Sequence, residues 1–471
     1  MAVGGDADGV FLPYHEPGAD KIFRAGLIGQ IIVGLVYGVP LANILQVNWQ
    51  ETFLALGYIG LLLIIFEGGL TIRLDLLRQN FLLSTVAALL GVLTPIALSY
   101  ALLYAGFGHA PLEAFIVGTA LSTTSLGTTF VVINSASKGT DYSQTRIGTV
   151  LISAAVLDDV CGLVLVSVIH QLRGIADDSN VNLGWIIGRP ILASGLLAVL
   201  TPLVAKFVAG PLFRRFLEKP LAKCQQVSNI LLMTFVLCAF LAIAAFAGAS
   251  MLFGAFLAGA FVSSLPSKEK RLEATEDTFV GAYERYLAGP QRFIFQPLFF
   301  ASIGFAIPFV ELWTGEVIWK GVVFTILMVF SKLIVGLVVP VWDMMSAVTT
   351  SHTNEKHSAR MAATASWAPA TLLGTAMVAR GEIGLLIIQI GLNETPFLSR
   401  KAFVIGVWAI VLNTIIGPVS VGVLLKKAGN KIATDRTWGI QSKPQEPDAE
   451  SVVPSEHIGA EGEREETRGD A

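Results

Sequence analysis

The sequence predicts an all-α, polytopic membrane protein built on an inverted repeat, with about twelve spans of which two are interrupted by glycine. Three observations predict it. Only 14% of the 471 residues are charged and 54% are hydrophobic, whereas soluble domains carry roughly 25% charge. Apolar runs near the roughly 20 residues that span a bilayer as a helix recur along most of the chain. The fourth and eleventh of these runs are each interrupted by Gly among polar residues, and seven spans apart they cross in opposite directions, the signature of an inverted-repeat transporter. A soluble chain of this length would need charged surface for about three domains. Soluble enzymes and nucleic-acid binders are thereby excluded, and the net charge of −3 gives no footing for a polyanion.

The runs are 25–45, 53–73, 81–106, 112–134, 147–171, 185–208, 228–248, 250–265, 292–313, 317–342, 367–392 and 402–425. They are too long and too uniformly apolar for barrel strands. Lys and Arg cluster in alternate loops: Lys21 and Arg24, Arg73 and Arg78, Lys138 and Arg146, the group from Lys206 to Lys223, the group from Lys268 to Arg285, Lys356 and Arg360, and Lys426 and Lys427. Basic loops stay on the cytoplasmic side, which puts both termini there. Arg400 and Lys401 do not fit the alternation. Residues 1–21 lack the basic, apolar, small-residue order of a cleaved signal and are expected to be disordered. The acidic tail, 427–471, is expected to be disordered as well. The loop 344–366 holds His352 and His357 without further ligands, so it reads as solvated. Cys161, Cys224 and Cys238 follow no metal or disulfide spacing. No phosphate loop or nucleophile elbow is present, and no resident cofactor is expected.

An ionisable side chain within a span costs a few kcal/mol and is a functional candidate by default. Asp158 and Asp159 stand mid-span in LISAAVLDDVCGLVLV. Neighbours on a helix point about 100° apart. The two carboxylates therefore do not share one proton as the dyad of an intramembrane aspartyl protease would; one can bind an ion while the other pairs elsewhere. Lys332, in VFSKLIVGLVV, needs a carboxylate partner, and this pair supplies one. Arg380 and Glu382, in GTAMVARGEIGLLI, indicate a broken helix lining a cavity. They are either a local ion pair holding that break or part of an ion path. The stretch STTSLGTT, residues 122–129, is either a cation site of unwound carbonyls and hydroxyls or polar glue between helices. Glu67 is expected to be satisfied by Arg73 and the interface, His170 to be interfacial, and Gln296 and Ser302 to pack.

These stretches, with LIGQIIVGLVYGVPL, LGYIGLLLIIFEGGL and FQPLFFASIGF, run in the order of a known family. Over about residues 22–426 the chain resembles the sodium/proton antiporters of the cation/proton antiporter superfamily. The resemblance implies an antiporter fold with a six-helix core, 81–171 and 317–425, moving against a dimerisation scaffold, with spans four and eleven as two discontinuous crossing helices. It implies that Asp159 binds Na⁺ or a proton, that Asp158 pairs with Lys332, and that Thr123, Thr124, Ser125, Thr128 and Ser153 complete the cation shell, with Arg380 and Glu382 supporting the broken helix. It implies a homodimer in a lipid bilayer. An acidic first residue in the Asp-Asp pair marks the electrogenic branch. The sequence departs from the family in two places. The helix preceding GLIGQ has no counterpart in residues 1–21, and Ala379 stands where Pro is usual. A K⁺/H⁺ exchanger on the same machinery and a cation channel are the competing readings.

Overall fold

The computed structural model describes residues 26–38, 41–42, 44–72, 77–78, 80–125, 142, 145–177, 183–213, 215, 225–265, 279–350, 366–435 and 437–440. Among them all regular structure is helical apart from one isolated bridge, Thr145 to Ile440. The principal helices are α1 (Gly26–Tyr37), α2 (Val47–Leu70), α3 (Phe81–Ser99), α4 (Pro111–Ala120), α5 (Arg146–Asp177), α6 (Leu183–Val204), α7 (Gln225–Ala247), α8 (Met251–Ser264), α9 (Phe279–Tyr286), α10 (Gln296–Ala306), α11 (Gly315–Gly336), α12 (Val338–Thr350), α13 (Trp367–Ala376), α14 (Glu382–Glu394) and α15 (Arg400–Ala433). Seven helical stretches among the described residues are long and apolar enough to cross a membrane, and α4 and α8 are shorter apolar helices.

The boundaries follow from local chemistry. Gly248, at φ +85°, turns the chain between α7 and α8, and Ser250 opens α8 by accepting a hydrogen bond from Leu252 N at 3.2 Å. Glu113 closes the first turn of α4 on Ala110 N at 3.2 Å, and its other oxygen accepts from Ser399 N at 2.9 Å, where α15 begins. One carboxylate thus joins the starts of two helices from opposite halves of the chain.

The helices pack in two groups. α1 lies on α10, and α2 on both α8 and α10. The contact of α2 with α8 is backbone to backbone: a Cβ on Gly69 would lie 2.0 Å from Phe256 O, and one on Gly259 2.2 Å from Phe66 O. In the second group α3 packs on α5 and α11, α11 on α13 and α15, and α14 on α4, α5 and α15. α6 touches both groups through α5 and α8. α6 and α7 expose Leu192, Leu196, Phe235 and Phe246. Such an apolar rim suits lipid and would not suit water.

Two sequence expectations change. The first span, expected over 25–45, is helical only to Tyr37, ahead of Gly38 and Pro40, because Pro disfavours a helical residue before it. The boundary at 427 falls inside α15, which continues to Ala433 and is followed by a fully buried Trp438. The low average hydropathy of the tail had masked the apolar positions Ile432 and Trp438. Glu67 is held by Gln291 Nε2 at 2.7 Å and Arg292 at 3.1 Å; Arg73, its expected partner, lies outside the described residues.

Candidate functional site

Two interrupted helices meet in the second group. α4 stops at Ala120 and the chain continues without helix through Ser125; α13 stops at Ala376 and α14 begins at Glu382. Ser125 N donates to Ala379 O at 2.9 Å, which ties one break to the other. Small residues allow the approach. A Cβ on Gly381 would sit 2.6 Å from the Cβ of Ser125, and one on Gly384 would sit 2.6 Å from Ala120 O.

Asp158 and Lys332 are both fully buried beside this crossing and pair at 3.0 Å. An ammonium has three protons to donate, and three acceptors surround Lys332 Nζ: Asp158 Oδ2 at 3.0 Å, Thr124 Oγ1 at 3.1 Å and Ser122 O at 2.5 Å. The Thr124 hydroxyl in turn donates to Asp158 Oδ2 at 2.5 Å. Two glycines bring Lys332 there. A Cβ on Gly336 would lie 2.3 Å from Ala370 O, so α11 touches α13; a Cβ on Gly91 of α3 would lie 3.2 Å from Nζ.

Asp159 is only half-buried, and its Oδ1 has no hydrogen-bond partner. The charged groups acting on it are Asp158, Glu382 and Lys332. Oδ1 of Asp158 is likewise without a partner. Two adjacent carboxylates, one anchored through a single oxygen and one without an anchor on its buried oxygen, leave lone pairs for a small cation or a proton.

Arg380 is fully buried and reaches across to the other break, where its Nη1 donates to Thr123 O at 3.0 Å and Ser122 O at 3.3 Å. It makes no hydrogen bond to Glu382, since its Nε and Nη2 have no partner. The local ion pair entertained from sequence is therefore not formed. Glu382 is half-buried in the first turn of α14. Of the hydroxyls assigned to a cation shell, Thr124 serves Asp158 and Lys332, and Thr123 donates to Ala120 O at 3.2 Å, closing the end of α4. Ser125 lies against Gly381. Ser153 is buried with its hydroxyl unpartnered, and Thr128 lies outside the described residues. Among the described residues no group of three or more His, Cys, Asp and Glu gathers that could hold a metal ion.

Sequence reasoning missed two contributors: Gly91 and Thr414, whose hydroxyl donates to Arg380 O at 2.9 Å. Asn413 is fully buried with both amide atoms unpartnered. Its signal was a neutral amide inside WAIVLNTIIG, which a search for charges passes over.

Two broken helices crossing beside buried, partly satisfied carboxylates define a secondary transporter of the inverted-repeat class. The chain belongs to the sodium/hydrogen exchanger family, whose transmembrane profile matches residues 18–427. It is similar to a Na⁺/H⁺ antiporter of Enterococcus hirae, 26% identical over 407 residues that cover 85% of this chain and 92% of the relative. It is also similar to the Na⁺/H⁺-K⁺ antiporter GerN of Bacillus cereus, 26% identical with 84% and 89% covered. Its fold is like that of the sodium proton antiporter MjNhaP1 from Methanocaldococcus jannaschii, with a TM-score of 0.53 at 17% identity, covering 87% of this chain and 93% of that one.

Proposed function

We propose that the protein exchanges a monovalent cation, Na⁺ in first place, for protons by alternating access, with Asp159 as the carboxylate that takes either ion. One observation carries this reading: of two adjacent intramembrane aspartates, Asp158 is anchored by Lys332 and Thr124, while the buried oxygen of Asp159 has no partner. A single carboxylate cannot hold Na⁺ and a proton at one position, so the two compete. Lys332 neutralises Asp158 when the site is empty or protonated and releases it when the cation arrives. Carrying an unpaired buried charge through the barrier costs several kcal/mol, so only occupied states move. In this reading the helices of 81–171 and 317–425 are the moving core, and the remaining helices form a scaffold through which two copies pair. Both termini face the cytoplasm and the exchange is electrogenic. A K⁺ component is the second reading, favoured by the name of the Bacillus cereus relative.

The test is reconstitution into proteoliposomes with an imposed pH gradient and Na⁺, Li⁺ or K⁺ outside. Na⁺-dependent proton flux is expected from the native chain and none from Asp159→Asn. Flux that survives in Asp159→Asn overturns the assignment. Charge movement under a valinomycin clamp is expected, and its absence overturns the electrogenic role given to Asp158.

A further inference from the structure

Past the end of α15 the chain folds back on itself. Asp435 Oδ1 accepts from Thr437 N and Trp438 N, both at 2.9 Å, forming a side-chain-capped turn. Trp438 then enters an apolar cluster with Ile147 and Leu151 of α5, Val339 of α12, Leu373 of α13 and Leu425 of α15. Its indole Nε1 donates to Asp343 Oδ2 on α12 at 2.8 Å, an oxygen that also accepts from Ser366, just ahead of α13. The guanidinium of Arg146 stands 4.8 Å over the indole ring. Trp438 O and Gly439 O accept from Ile147 N and Arg146 N at 3.2 and 3.1 Å. These are first-turn amides of α5, which have no acceptor within their own helix.

The strap thus joins α5 to α12, and the same two columns are joined a second time by Asp158 and Lys332. At about 1.5 Å per residue, Arg146 lies roughly 18 Å along α5 from Asp158. By the same rise Asp343 lies roughly 16 Å beyond Lys332 along α11 and α12. One crosslink is a buried ion pair that the exchange reading requires to open and close. The other consists of an indole hydrogen bond to Asp343, a cation on an aromatic face and two backbone bonds, none of which involves Asp158, Asp159 or Lys332.

We propose that Trp438 is a positioning residue for exchange: the strap formed by Asp435 and residues 437–440 keeps α5 against α12 while the Asp158–Lys332 contact is released, so the two helices stay in register and the pair can close again in each cycle. The inference rests on the exchange reading above. A strap of purely structural importance would change yield and melting temperature and leave cation affinity alone.

The experiment compares the full chain, a chain ending at residue 440, Trp438→Phe, Asp343→Asn and Trp438→Ala. Each is assayed in proteoliposomes for apparent Na⁺ KM, turnover and pH profile, and in detergent by hydrogen exchange. The chain ending at 440 should match the full chain. Trp438→Ala should raise the Na⁺ KM about tenfold with a smaller change in turnover, and should speed amide exchange around Asp158 and Lys332 as well as at the start of α5. Trp438→Phe, which keeps the ring and loses the N–H, and Asp343→Asn should each raise KM about threefold. If Trp438→Ala does not fold, these two variants decide. Unchanged KM and pH profile in the folded variants, or faster exchange confined to residues 145–150, overturns the proposal. A full chain without Na⁺-dependent flux overturns the exchange reading instead, and hydrogen exchange still decides the strap.

Discussion

The breaks at 121–125 and 377–381 occupy corresponding places in the two repeats, yet they are held in opposite ways. Two buried cations close on the first: Lys332 and Arg380 both donate to Ser122 O, and Arg380 also donates to Thr123 O. The second is held by neutral donors, Ser125 N on Ala379 O and the Thr414 hydroxyl on Arg380 O. A repeated backbone therefore supports an asymmetric charge distribution. The first break gathers positive charge onto its carbonyls, the second supplies Arg380, and the acidic pair of α5 sits beside both. The symmetry sets where the helices unwind, and the side chains set which break answers to charge.

The largest effect that would break this comparison comes from Lys332→Ala, which removes one partner of a fully buried pair and should destabilise the protein by about 3–5 kcal/mol. Thermal unfolding in detergent measures it, and Asp158→Asn in the same chain should recover part of the loss. Full additivity of the two changes would show that the pair is not coupled. Arg380→Ala comes next. It leaves buried carbonyls without a charged donor at about 1–3 kcal/mol, and it should lower Na⁺ flux more than the same loss of stability does at a site far from the break. Equal flux per folded protein would show that the first break holds without it. Gly384→Ala sharpens the geometry: its Cβ would meet Ala120 O at 2.6 Å, so overpacking of about 1–3 kcal/mol is expected, with the melting temperature as readout. The smallest effect is that of Thr124→Val, which takes one donor from Asp158 at about 1.5 kcal/mol. Thr124→Ser should restore the native cation KM, whereas a Ser variant as impaired as Val would mean that the hydroxyl is not what matters.

Much of the site was legible because a charge inside an apolar run is costly and stands out. Asp158, Asp159, Lys332, Arg380 and Glu382 were all found this way; a buried lysine demands a carboxylate, which left Asp158 and Asp159 both open as its partner, and only the family resemblance pointed to Asp158, beside which Lys332 lies at 3.0 Å. The hydroxyls were less legible. STTSLGTT announces a polar break, yet nothing in its spacing says that Thr124 serves Asp158 and that Thr123 closes α4. Gly91 and Asn413 gave no usable signal, because a glycine that makes room and a neutral amide in a helix look ordinary one residue at a time. Trp438 was hidden by composition: a lone indole in an acidic tail is diluted by its neighbours, although it is fully buried.

By itself the sequence determined that the chain crosses a membrane many times, roughly where each span runs, where two of them break, and which few charges remain inside. Those are properties of short segments, because the cost of inserting a residue into hydrocarbon depends mainly on that residue and its own helix. The tertiary structure alone decided that Arg380 reaches across to the opposite break instead of pairing with Glu382, that Lys332 fills all its donors, and that residues 437–440 return to the start of α5. Those choices depend on which helices can approach within hydrogen-bonding distance. Glycines such as Gly336, Gly381 and Gly384 set that approach through contacts between segments far apart in sequence.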